Sequence, residues 1–289
     1  MTSDENSQLK QKISILETEL KQKNSEIITY RQELGKYSQK LDLLMSQISG
    51  DMKLLSQIQK TLIPTEIPTI PGFEISRKFV YGSKSGGDYF DIFEHEDKMK
   101  FGILVASSSG YAMSALFLSL ILKISHALEA KKGNSPDKIL QQISEEIKKL
   151  AAPKDTTSAF YGVIDRRNFT LQFCNAGNMN GYYLAPNKPI QILKSTNSAF
   201  GQQFSEKLTL AAVDLDPKSI ICVVTEGLSE VLGAEGIIKI MTDNAKSGVH
   251  ELRNELLFHA QRISKSEEPL RDQTVVVIEV KDRVIKLAK

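Results

Sequence analysis

The stretch AFYGVIDRRNFTLQFCN, residues 159–175, decides how the rest of the chain is read. Two short runs, Ala159 to Asp165 and Thr170 to Asn175, are rich in β-branched and aromatic residues, and AspArgArgAsn at 165–168 sits between them. Apolar runs of that length joined by a polar turn read as an antiparallel hairpin. Working outward, further strands are expected at Phe73 to Tyr81, Tyr89 to Glu94, Lys100 to Ala106, Gly181 to Leu184, Ile220 to Thr225 and Thr274 to Val280. Helices are expected over residues 112–130, Pro136 to Leu150 and Gly248 to Ile263. Strands in hairpin-like runs without regular βα alternation favour an α+β fold of antiparallel sheets covered by helices over a parallel, doubly wound one.

Before Pro64 the pattern is different. Ile13, Leu16, Leu20, Lys23, Ile27, Tyr30, Leu34, Tyr37, Leu41, Leu44, Ile48, Asp51 and Leu55 recur at alternating steps of three and four. That is a heptad seam of about six repeats, which predicts a long N-terminal coiled-coil helix and a parallel homodimer. The alternative is a helix laid back on its own domain. Gly35 and Gly50 each cost about 1 kcal/mol relative to alanine in a helix interior, and Gly50 beside Asp51 is the expected loosening point. Prolines 64, 68 and 71 end the helix. The expected division is therefore a coiled-coil dimerisation helix over residues 1–55 and one globular domain over residues 56–289.

Composition sets limits on function. The 37 Lys plus Arg nearly cancel the 35 Asp plus Glu, leaving a formal charge of +2. No strong field gathers nucleic acid or anionic lipid, so neither is an expected partner. No run approaches the ~20 continuous apolar residues of a membrane span, and the polar start lacks a secretory signal, so a cytoplasmic location is expected. Cys174 and Cys222, each inside an apolar run, are expected to be buried hydrophobes.

Acidic residues collect beside glycines or strand ends in SerGlyGlyAspTyrPheAsp at 85–91, ThrGluGly at 225–227, Glu230, and ArgAspGlnThr at 271–274. Converging carboxylates suit Mg²⁺ or Mn²⁺, which take oxygen ligands; solvated loop acids are the other reading. The histidines show no metal-ligand spacing, and no phosphate-cradling glycine loop is present.

These segments, with IleGlnLysThrLeuIlePro at 58–64, SerSerSerGlyTyrAlaMetSerAlaLeu at 107–116, AsnAlaGlyAsn at 175–178 and ValThrGluGlyLeuSerGlu at 224–230, resemble the bacterial PPM-type serine/threonine phosphatase domain of the RsbU and SpoIIE group. The resemblance implies an αββα sandwich of two antiparallel sheets flanked by helices. It also implies two Mn²⁺ or Mg²⁺ ions, held mainly by aspartates, that activate water against a phosphoserine or phosphothreonine.

The motifs depart from that group at the positions that matter. Asp88 stands where the bridging aspartate is expected. Ser107 and Tyr111 occupy places where the group carries aspartate and histidine, Glu226 replaces an aspartate with a longer stem, and Arg271 sits at the position of a metal-binding aspartate. A guanidinium is cationic and only donates hydrogen bonds, so it cannot coordinate a cation. It is expected within reach of Asp88 or Glu226. The primary expectation is a catalytically impaired domain without a cofactor, acting as a dimeric signalling regulator. Its family-type partner is a phosphorylatable anti-sigma-factor antagonist. The alternative is an active Mn²⁺- or Mg²⁺-dependent phosphatase in which Asp88, Glu226 and Asp272, or Asp91, retain an ion.

Overall fold

A computed structural model describes residues 3–62, 64–83, 87–109, 123, 133–194, 197–266 and 268–281. Tyr111 and the expected 112–130 helix lie, Lys123 apart, outside the described residues. The chain divides into two compact units, Met1–Leu54 and Leu55–Lys289.

Helix α1 runs Ser3–Leu62. It continues through Gly35 and Gly50, so the local cost of two glycines does not interrupt sixty residues of helical pattern. Its apolar seam residues, Leu16, Leu20, Ile27, Leu34, Leu41 and Ile48 among them, are exposed along the single chain. The structure thus has the expected long helix.

The second unit contains β1 (Phe73–Val80), β2 (Asp88–Glu94), β3 (Lys100–Ser108), α2 (Pro136–Leu150), β4 (Thr156–Asp165), β5 (Thr170–Ala176), β6 (Gly181–Leu184) and β7 (Gln191–Leu193). It continues with β8 (Phe200–Gly201), β9 (Ala211–Asp214), β10 (Ile220–Val224), α3 (Glu226–Asp243), α4 (Val249–Ser264) and β11 (Gln273–Val280). One sheet has the order β1-β11-β10-β6-β7 and the other β2-β3-β4-β5-β9, with β8 beside β4. Every pairing between named strands is antiparallel. The opening hairpin is β4 with β5, closed by Asp165 opposite Thr170, and the Arg167 N–H donates to Asp165 Oδ1 at 2.9 Å across the turn.

Side chains alternate across each strand, and this sorts them into layers. Phe101, Ile103, Val105 and Phe160 of one sheet meet Ile221, Val223, Val276 and Ile278 of the other in the central core. Their neighbours Leu104, Ala106, Ala159 and Tyr161 face α2, while Cys222, Val224, Val275 and Val277 face α3 and α4. The result is an αββα sandwich. Both cysteines are buried and free, as expected of small hydrophobes.

Three short strands, β7 to β9, and helix α3 add to the elements expected from the sequence. Helix α3 carries Gly227, Gly233 and Gly236, and Gly233 breaks its path at φ 67°, so no sustained helical stripe marks it in the sequence. Helix α4 is fastened to β1 where Ser76 Oγ and His250 Nδ1 lie 2.9 Å apart.

Candidate active site

At one end of the sandwich the inward alternation turns from apolar to oxygen-bearing. Continuing the central-core positions one step along each strand reaches Asp88 on β2, Ser107 on β3, Ser158 on β4, Thr225 just after β10 and Thr274 on β11. Asp88, Ser107 and Ser158 form one cross-strand row, with Asp88 opposite Ser107 and Ser107 opposite Ser158. The second sheet places Thr225 and Thr274 against that row. Thr225 Oγ1 donates to Asp88 Oδ2 at 2.6 Å, and Thr274 Oγ1 donates to the same oxygen at 2.8 Å. Thr225 Oγ1 also accepts from the Thr274 N–H at 2.9 Å, so the two threonines are locked to each other as well as to the carboxyl.

Asp88 is buried. Burial pushes its carboxyl above the ordinary carboxylate range, the nearby charge of Asp272 adds to the push, and bonds from Ser107, Thr225 and Thr274 work against it. Burial and Asp272 together outweigh the three hydroxyls, and the group is raised to about 7. Asp272, also buried, accepts from the Gly82 N–H at 2.9 Å and approaches the Asp88 N–H at 3.4 Å.

Glu226 is the first residue of α3, where a carboxylate interacts favourably with the helix dipole. Its Oε1 accepts from Ser158 Oγ at 2.5 Å, and its Oε2 lies 3.5 Å from Arg271 Nη1. The same Nη1 donates to Glu230 Oε1 at 2.5 Å, one helical turn beyond. The guanidinium therefore bridges two carboxylates of α3. Ser158 also accepts from the Asn178 N–H at 3.3 Å, tying Glu226 to the AsnAlaGlyAsn turn. There Gly177 has φ 68°, and a Cβ on it would overlap Ser158 Oγ.

Backbone packing fixes Arg271 and Asp272 in place. A Cβ on Gly82 would overlap the Arg271 carbonyl carbon, and one on Gly227 would overlap the Asp272 carbonyl oxygen. The loop is held between two backbones that approach only because both residues are glycine.

The structure thus brings Asp88, Ser107, Glu226, Arg271 and Asp272 to one end of the sandwich. The expected Arg271 to Glu226 approach is present, and the shorter contact is to Glu230, one of the acids expected to converge here. Asp91 lies on the other face of β2 from Asp88, taking a 3.2 Å bond from Tyr89 Oη. Thr225, Thr274 and Ser158 went unrecognised as site residues, although the period-2 alternation, carried one step further, points to each of them.

The chain matches the family described as Stage II sporulation protein E (SpoIIE) over residues 97–281, more than half its length. The chain belongs to the SpoIIE family. Among relatives of this SpoIIE-family chain, Protein IcfG of Synechocystis is 24% identical over 239 residues, covering 70% of the chain and 38% of the relative. Phosphoserine phosphatase RsbU of Bacillus subtilis is 20% identical over 201 residues, covering 70% of the chain and 57% of that protein. The chain spans well under two thirds of either relative. The solved SiaA-PP2C domain of Pseudomonas aeruginosa superimposes with a TM-score of 0.68 at 19% identity, covering 82% of this chain and 98% of that one, and shares the fold.

The fold family implies a pair of divalent cations, and the donor set at this site does not fit two. Ser107 offers a neutral oxygen, the Glu226 oxygens already meet Ser158 and Arg271, and a fixed positive charge lies beside both Glu226 and Glu230. Among the described residues, no three His, Cys, Asp or Glu side chains are grouped to hold a metal ion. No described helix is long and apolar enough to cross a membrane.

Proposed function

We propose that this SpoIIE-family chain is a regulator that binds a protein partner through an impaired phosphatase frame and does not carry out two-metal hydrolysis. The observation that carries the reading is the Arg271 guanidinium bridging Glu226 and Glu230. A cationic side chain at this position supplies the counter-charge that clustered carboxylates otherwise need from a metal, and it repels an incoming cation. In this reading residues 56–289 form the partner-binding domain. By its likeness to the RsbU and SpoIIE group, the partner class is a phosphorylatable anti-sigma-factor antagonist.

Residues 1–55 form a coiled-coil dimerisation helix in the same proposal. Support comes from the heptad seam and from the exposure of its leucines and isoleucines along α1, a single apolar stripe that a second copy would cover. Light scattering on the full chain is expected to give a dimer, and on a chain beginning at Leu55 a monomer; a monomeric full chain overturns the dimer.

The second reading, a working Mn²⁺-dependent phosphoserine or phosphothreonine phosphatase, draws on the retained Asp88 and Asp272 pair and on the activity named for RsbU. One experiment separates the two. Phosphate release from a phosphoserine protein is measured across a Mn²⁺ titration, with Asp88→Ala as control. The regulator reading expects no release above the control and no two-site Mn²⁺ isotherm. Saturable Mn²⁺-dependent release that disappears in Asp88→Ala overturns it.

A further inference from the structure

At the end of β10 and β11 remote from Asp88, a cavity of about 400 Å³ opens between the β9–β10 turn, the α3–α4 loop and the residue following β11. Leu184, Pro186, Ile220 and Ala245 give it an apolar wall, and Lys218 and Lys246 stand at its rim. We propose that this cavity binds a small organic anion, with an apolar body against that wall and its charged group between the two lysines. The proposal does not rest on the reading of the Asp88 site.

Charge and size select the class of ligand. Of the other charged groups lining the cavity, Lys281 is committed, with its Nζ 2.7 Å from both Glu279 and Glu74. Glu279, the one carboxylate among the lining residues, shares Lys281 with Glu74, so this trio keeps one net negative charge. Lys218 and Lys246 have no ion-pair partner among the described residues, and their two positive charges exceed the one negative charge left on that trio, so the cavity keeps a net positive charge. An inorganic ion would leave most of the volume and the apolar wall unused, whereas pockets of roughly 300 Å³ and above suit organic ligands. A cation would meet repulsion. Lys218 also holds a left-handed backbone (φ 61°), unusual for a lysine, which fixes it at the turn that edges the cavity.

The full chain is titrated with 1-anilinonaphthalene-8-sulfonate, an aromatic anion whose fluorescence rises on binding, and with uncharged N-phenyl-1-naphthylamine. The expected result is a saturable component, at least tenfold tighter for the anion than for the neutral compound, that weakens as salt is raised. Lys218→Glu with Lys246→Glu, and separately Ala245→Trp, which fills the cavity, are each expected to weaken that component at least tenfold. Circular dichroism checks folding. Where a variant is unfolded, Lys218→Gln with Lys246→Gln supplies the comparison, with a severalfold loss expected. Unchanged anion affinity in the folded variants, or equal affinity for the neutral compound, overturns the proposal.

Discussion

Strands β10 and β11 end in opposite chemistry. At one end Thr225 and Thr274 reach a buried aspartate, and Arg271 bridges two carboxylates of α3. At the other, Lys218 and Lys246 stand exposed around an open cavity. The difference is one of commitment. Charged groups at the acidic end are buried or partnered, so changing one disturbs its neighbours; Lys218 and Lys246 at the basic end are solvated, so changes to them act on binding more than on folding.

Glycines at the two ends should differ in the same direction. Gly227→Ala gains helix propensity but places a methyl into the Asp272 carbonyl oxygen, and the clash with backbone wins. Loss of about 3 kcal/mol is expected from urea denaturation, within the range for an overpacked site. A change below about 1 kcal/mol would show the acidic end to be as yielding as the basic one.

The raised Asp88 carboxyl predicts a pH dependence confined to the acidic end. Because its folded-state value lies above the ordinary one, its contribution is fully present below about pH 4 and is lost as pH rises through about 7. Asp88→Asn, which stays neutral, should lack that decline. Relative to the native chain, it should gain roughly 2 kcal/mol between pH 5 and pH 8. Parallel stability curves for the two proteins would show that Asp88 is not held neutral by its surroundings.

Charge restoration gives a smaller effect, read as metal affinity. Ser107→Asp, Glu226→Asp and Arg271→Asp together should tighten Mn²⁺ binding at least tenfold by calorimetry, about 1.4 kcal/mol. Arg271→Asp alone should exceed Ser107→Asp alone, because it removes a repulsive charge as well as adding a ligand. Equal effects would mean that Arg271 does not govern the site.

The smallest change belongs to the basic end. Gly248 precedes α4 at φ 87° with open space around it, so Gly248→Ala meets backbone strain without a clash. With ψ at 164° this backbone is one that only glycine adopts readily, and the expected cost in such open surroundings is about 1 kcal/mol, the low end for strain of that kind. A loss matching that of Gly227→Ala would erase the contrast between the ends.

Local periodicity is legible in a sequence because it repeats within a few residues. Runs of β-branched and aromatic residues gave most strands of the sandwich and the opening hairpin, and the alternation of three and four gave α1. Helix α3 escaped because its glycines weaken the stripe and Gly233 breaks it, and β7 to β9 escaped because two to four residues hold too few repeats to register. The motif order marked the family.

What the sequence by itself determined is therefore the long helix, the antiparallel sheets and the presence of a cation, Arg271, among the acidic segments. Only the tertiary structure decided where that cation goes. Its partners lie more than forty residues away in the chain, on a helix with no clear pattern, and the hydroxyls around Asp88 come from a strand of each sheet and from the residue that follows β10. Electrostatic partners and burial are set by what folding brings together across long separations, and no short-range pattern encodes that distance.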